Sequence, residues 1–151
     1  MKKMILTAIA ISAILVGGCG EEKTPPVQQT QRSDIDLSSA KDGVYTVDSS
    51  RDDKLGYSTL TLSIENHKIT AVDFKGVDLF GNVKDEEYGS LTGKDSADYK
   101  KAQTAVKAIG EYARQLQETQ SLKKVDAISG ATISYKQFVE TVEKAVDAAN
   151  R

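Results

Sequence analysis

The stretch Thr59-Leu60-Thr61-Leu62-Ser63-Ile64 runs into Glu65-Asn66-His67-Lys68 and then into Ile69-Thr70-Ala71-Val72-Asp73-Phe74-Lys75-Gly76-Val77. In the first run Leu60, Leu62 and Ile64 alternate with Thr59, Thr61 and Ser63, the period-two pattern of a strand with one buried face. The four polar residues that follow read as a turn, so the two runs predict a β-hairpin. In the second run Ile69 and Val72 cannot share a face under strict alternation. Either a bulge intervenes there or one of the two faces the other way. Upstream, residues 43–48 (Gly-Val-Tyr-Thr-Val-Asp) form a short β-rich run, separated from the hairpin by the polar residues 49–56.

Downstream the period changes. Residues 78–95 make a long loop with Gly81, Gly89 and Gly93 and the acidic run Asp85-Glu86-Glu87; loops of this length inside a domain are usually functional or mobile. Tyr99, Ala102, Val106, Ile109, Ala113 and Leu116 then recur at helical spacing, which predicts an amphipathic helix to about residue 117 with Ser96 as its N-cap. A connection follows, with a short strand expected near Val125. A last helix is expected from Ser134 or Tyr135 to Ala149, with Phe138, Val142, Ala145 and Ala149 on one face. Strands first and helices afterwards predict an α+β domain: a small antiparallel sheet packed with two C-terminal amphipathic helices.

Between the helices stands Asp126-Ala127-Ile128-Ser129-Gly130-Ala131-Thr132. A glycine turn leading into a helix offers free backbone N–H groups and the positive end of the helix dipole, a setting that suits a phosphate. Gly130 and the small Ala131 let a phosphate approach the backbone, and Thr132 supplies a hydroxyl. The structural alternative is a plain turn before a helix. Ser134 and Gln137 have capping-box spacing, which makes Ser134 the expected N-cap.

These residues resemble the attachment motif of the FMN-binding domain family, an acidic residue followed by Ser-Gly-Ala-Thr. That family includes flavin-carrying subunits of ion-pumping NADH:quinone reductases and surface electron-transfer lipoproteins. The placement near the C-terminus between two helices is similar, and residues 42–73 resemble the family's opening strands. Many members continue the motif with two serines, whereas here Tyr135 follows Ser134. The resemblance implies FMN joined by a phosphodiester to Thr132, moved there from FAD by a flavin transferase, with Asp126, Ser129, Gly130, Ala131 and Ser134 forming the rest of the site. Tyr57, Tyr88 and Tyr135 are candidates to flank the ring, with ordinary packing as the alternative for each.

The chain begins with Met1-Lys2-Lys3 and a mostly apolar run from Met4 to Val16, followed by Gly17-Gly18-Cys19. A basic start, a short apolar core and small residues before the cut form a secretory signal, expected over residues 1–18. Val16-Gly17-Gly18-Cys19 resembles a bacterial lipobox, which implies cleavage before Cys19, the chain's only cysteine, and lipid on its sulfur. Two or three acyl chains anchor stably where one is marginal. A plain secretory signal with a leftover thiol is the alternative. Residues 19–41 are polar, hold both prolines and read as a flexible tether; about 20 such residues reach ~25 Å. Residues 42–151 are then the domain.

Composition narrows the function. The net charge is −2 and becomes two units more negative without Lys2 and Lys3. With no basic stripe, nucleic acid is not an expected partner. A single cysteine excludes a disulfide framework and a cysteine-based metal site. His67, the sole histidine, reads as a solvated turn residue, the acidic run as a solvated face, and no catalytic constellation is recognisable. The chain is therefore expected to be a carrier rather than an enzyme with its own substrate. It would be held outside the cytoplasm on the bacterial cell membrane by its lipid. A membrane dehydrogenase or quinol-linked donor would reduce it and an extracytoplasmic acceptor would oxidise it. The alternative is a flavin-free lipoprotein serving as a binding or interaction module. A weaker idea is that residues 11–18 are released as a hydrophobic peptide signal.

Overall fold

Alternation builds the sheet. In the computed structural model, which describes residues 34–151, β1 (Gly43–Asp48), β2 (Tyr57–Glu65) and β3 (Lys68–Val77) pair antiparallel in the order β1-β2-β3. The expected signal segment, Cys19 and the start of the tether lie outside the described residues. Leu60, Leu62 and Ile64 are buried on one face, as their spacing requires. Asn66 and His67 both take positive φ, 51° and 60°, which matches the right-handed twist of a tight hairpin. His67 is exposed, with Nδ1 3.0 Å from the Leu37 carbonyl oxygen.

The conflict between Ile69 and Val72 is a bulge. Ile69 pairs with Ile64 and Ala71 with Ser63, leaving Thr70 as an extra residue in β3. Ile69, Val72 and Phe74 thereby all face the helices, opposite Ile64, Leu62 and Leu60. The extra residue resets the alternation so that one face stays apolar along the whole strand.

Two helices cover that face. α1 (Ala97–Thr119) packs on β3, and α2 (Thr132–Ala149) packs on β2 and β1. Ser96 caps α1 as expected, its hydroxyl accepting from the Tyr99 N–H at 3.1 Å. The strand expected near Val125 is absent. A single 3₁₀ turn, Leu122–Lys124, takes its place, and Val125 is buried as its C-cap. Four rings run through the core: Phe74 meets Phe138 edge-on at 4.9 Å, Phe138 meets Tyr112 at 5.6 Å, and Tyr112 meets Tyr135 at 5.4 Å. They lead from the sheet to the residues before α2. Among the described residues no helix is long and apolar enough to cross a membrane.

Residues 34–41, read from composition as the end of the tether, belong to the packed unit. Ile35 and Leu37 lie against the core and Ala40 is buried. The Asp34 carboxylate accepts from the Ser121 hydroxyl at 2.6 Å and the Leu122 N–H at 2.9 Å. Partial burial works against its ionised form, but these hydrogen bonds outweigh it and the pKa falls below the ordinary value. Polar composition concealed this contact because only Ile35, Leu37 and Ala40 face inward, among exposed polar residues.

On the solvent side of α1, Arg114 bridges Glu111 and Glu118. Hydrogen bonds from Arg114 and Gln115 hold the Glu111 carboxyl at about 2 against an ordinary 4.5. A carboxyl depressed by folding stabilises the native state above its unfolded pKa and loses that contribution as pH falls through its folded one. Thermal stability is therefore expected to be flat above pH ~5 and to decline from there towards pH ~2, with Glu111, Asp34 and Glu140 shifting in the same direction. Circular-dichroism melts across that range check this. Glu111→Gln should flatten part of the acid limb, and only slightly, since the pair is solvated.

Candidate functional site

The segment leading into α2 is held by side chains from both helices. The Tyr135 hydroxyl donates to the Val125 carbonyl at 3.1 Å, and the Asp126 N–H donates to Gln115 Oε1 at 2.9 Å. The Ile128 N–H donates to Tyr112 Oη at 3.1 Å, and the Tyr112 hydroxyl donates to the Ala131 carbonyl at 3.4 Å. Gly130 takes φ +83°, a left-handed conformation that favours glycine. A Cβ there would stand 3.5 Å from Thr104 Cγ2, so the turn rests on α1.

Burial divides the motif sharply. Ala131 is buried, whereas Asp126, Ser129, Gly130 and Thr132 are exposed. Thr132 is the first residue of α2, and its hydroxyl is on the surface at the helix N-terminus. Among the described residues no side chain caps that end, and no acidic residue lies in its first turn. α1 has both, Ser96 and Asp98. The first amides of α2 therefore point outward with the positive pole of the helix unopposed.

Ser134 is not the N-cap that the capping-box spacing predicted. Ala131 occupies that position, and Ser134 is a half-buried residue within the first turn. The reason lies in Gln137, which turns to the sheet instead of back to Ser134. Its Oε1 accepts from the buried Ser58 hydroxyl at 2.8 Å, and its Nε2 donates to the Gly56 carbonyl at 3.1 Å. Asp126 presents its carboxylate to solvent, without a hydrogen-bond partner among the described residues, while its N–H binds Gln115.

The long loop after β3 approaches the same region. The Asp78 carboxylate accepts from the N–H groups of Phe80 and Asn82, each at 2.8 Å, which fixes the first bend. The Lys84 N–H returns to the Gly76 carbonyl at 2.8 Å. Gln103 Nε2 then donates to the carbonyls of Asp85 and Tyr88, at 3.1 and 3.0 Å. Gln103 and Thr104 are consecutive, so loop and motif turn meet α1 at the same height, separated by about 100° around its axis. Lys84 places its ammonium 5.2 Å from the Tyr88 ring centroid. Burial lowers the Lys84 pKa, and the charges of Asp78 and Asp52 oppose that shift.

Of the three candidate flanking tyrosines, Tyr135 packs against Tyr112 and binds Val125. Tyr57 lies under Arg51 at 4.3 Å, and Tyr88 is half-buried in the loop. Four exposed large apolar side chains, Leu79, Phe80, Val83 and Leu91, belong to the same loop as Tyr88, and Phe80 is 89% exposed. Ile133 adds a fifth beside Thr132. Sequence reasoning missed Tyr112 and Gln115, and it paired Gln137 with Ser134 where the structure pairs it with Ser58 and Gly56. The available signal was polar atoms at helix positions otherwise belonging to the apolar stripe.

A family model described as the FMN-binding domain matches residues 55–147, more than half of the chain. The chain belongs to the FMN-binding domain family. The matched span runs from the start of β2 almost to the end of α2 and contains the whole of the motif. Among solved structures, a crystal structure of a Clostridium perfringens protein is 25% identical with a TM-score of 0.56. It covers 73% of this chain and 88% of its own. A solution NMR structure from Clostridium thermocellum is also 25% identical, with a TM-score of 0.42 over 74% and 93% of the two chains. No curated protein matches. The family assigns a flavin-binding role to this domain, and the residues fit such a ligand. An exposed hydroxyl, a left-handed glycine and an uncapped helix start form a donor set for a phosphate.

Proposed function

We propose that this protein carries FMN joined through its phosphate to Thr132 and works as a one- and two-electron relay. The observation that carries the reading is the exposed Thr132 hydroxyl at the uncapped start of α2, inside a domain of the FMN-binding family. In the attachment reaction Thr132 Oγ attacks the phosphorus of the FMN half of FAD. The new P–O bond forms as the pyrophosphate P–O bond breaks, AMP leaves, and the hydroxyl proton passes to a base of the flavin transferase. Exposure of Thr132 lets a second protein reach it. The outward amides of α2 would hold the anionic diester, aided by the Ser129-Gly130-Ala131 turn. Asp126 and Ser134 flank that turn, and Asp126 is accessible for recognition by the transferase.

Covalent attachment suits a protein outside the cytoplasm, where a released cofactor is lost by dilution. The flavin supplies the redox chemistry, and the domain supplies position and electrostatics. The exposed apolar side chains of the loop, with Ile133, offer a surface on which a flat aromatic ring can lie. Lipid on Cys19 would anchor the protein to the bacterial membrane facing outward, in reach of a membrane dehydrogenase or quinol-linked donor and of an extracytoplasmic acceptor.

Intact-mass spectrometry of the exported soluble domain, expressed with a flavin transferase, tests this. A gain of one FMN less one water, with flavin absorbance, is expected. An unmodified, colourless protein under conditions that modify another family member would leave a flavin-free interaction module.

A further inference from the structure

We infer that the Tyr112 hydroxyl decides where α2 begins and thereby holds Thr132 in the position at which it is modified; this rests on the covalent-flavin reading above. Two helix starts compete in this sequence. Ser134 followed by Gln137 is a strong start signal, whereas Ala131 is among the poorest N-cap residues. Yet α2 begins at Thr132 with Ala131 as its cap and, among the described residues, no side-chain help. Something outside the helix must favour the earlier start.

Tyr112 is placed to do so. Its hydroxyl touches the backbone on both sides of the Ser129-Gly130 turn, accepting from Ile128 N–H and donating to Ala131 C=O. It is fully buried, with its ring fixed against Phe138 and Tyr135. Burial raises the phenol pKa, so the group stays neutral and able to donate. A start at Ser134 would unwind residues 131–133. The Ala131 carbonyl would then leave the hydroxyl, and Thr132 would move off the first turn into extended chain. Gln137 blocks the same alternative from below, since Ser58 and Gly56 occupy both ends of its amide.

Tyr112→Phe keeps the ring and removes only the hydroxyl. In the unmodified variant, amide hydrogen exchange at Ile128 is expected to quicken about tenfold, the size of one lost hydrogen bond. The kcat/KM for flavin transfer from FAD onto Thr132 is expected to fall by at least about tenfold as well. Adding Ser134→Ala to Tyr112→Phe removes the competing cap and should return the transfer rate towards that of Ser134→Ala alone. A merely structural tyrosine would give no such rescue. A melting curve of Tyr112→Phe confirms that it is folded. Transfer to Tyr112→Phe at the wild-type rate, or a double variant no faster than Tyr112→Phe, would overturn the inference. If wild-type protein itself accepts no flavin, the covalent reading fails instead. Unchanged amide exchange at Ile128 in Tyr112→Phe would then still refute control of the helix start.

Discussion

Thr132→Val takes up no flavin, folds as the wild type does, and stays colourless after exposure to transferase and FAD: this is the expected result. Valine matches threonine in shape and lacks only the hydroxyl. Thr132 is exposed and makes no side-chain hydrogen bond that the fold relies on among the described residues. Stability should therefore change by no more than about 0.5 kcal/mol, as for surface substitutions generally. The loss of attachment should be complete, because no other atom at position 132 can form the phosphodiester. Thr132→Ser restores the hydroxyl and should accept flavin again. Intact mass reads all three proteins. A flavin mass on Thr132→Val would move the attachment elsewhere, with the exposed Ser129 the first place to look.

Gly56→Ala, at the entry to β2, is expected to be strongly destabilising. Gly56 precedes β2 at φ +82°, and an added Cβ would press on the Val77 carbonyl and stand 2.7 Å from the Asp78 carbonyl carbon. A left-handed conformation costs a non-glycine residue about 1–2 kcal/mol. Forcing an atom into packed structure adds about 1–3 kcal/mol, and here the obstacle is backbone. The Gly56 carbonyl also receives the Gln137 amide, so any shift reaches α2. A drop in melting temperature of more than about 10 °C is expected for a domain of this size. A variant melting within a few degrees of wild type would show that the β2–β3 end yields more easily than its packing implies. Flavin transfer to the surviving folded fraction would show whether Gln137 transmits the disturbance to Thr132.

Much of the fold was readable because its elements answer to local periods. Leu60, Leu62 and Ile64 could be buried together only in a strand, and the spacing from Tyr99 to Leu116 fits only a helix. Ser96 was legible as a cap because its hydroxyl serves an amide three residues away. The errors occurred where a distant partner outbid a local one. Ser134 and Gln137 are ideally spaced for each other, but Ser58 and Gly56 hold Gln137 from across the core. Residues 34–41 look like linker, yet Asp34 finds Ser121 and Leu122 at a separation of almost ninety positions. No period in the sequence records such contacts.

Local pattern alone was enough for the α+β order, the buried faces of β2 and of the two helices, and the family to which the motif Asp126 to Thr132 belongs. The motif was legible because a glycine turn, a small residue and a hydroxyl answer to local backbone geometry. It took the packed fold to show that β3 carries a bulge at Thr70, that α2 takes Ala131 rather than Ser134 as its N-cap, three residues earlier, and that Tyr112 grips both sides of the turn. Each of those depends on a buried polar or apolar group finding a partner from another element. Which partner it finds is fixed only once the helices have packed on the sheet.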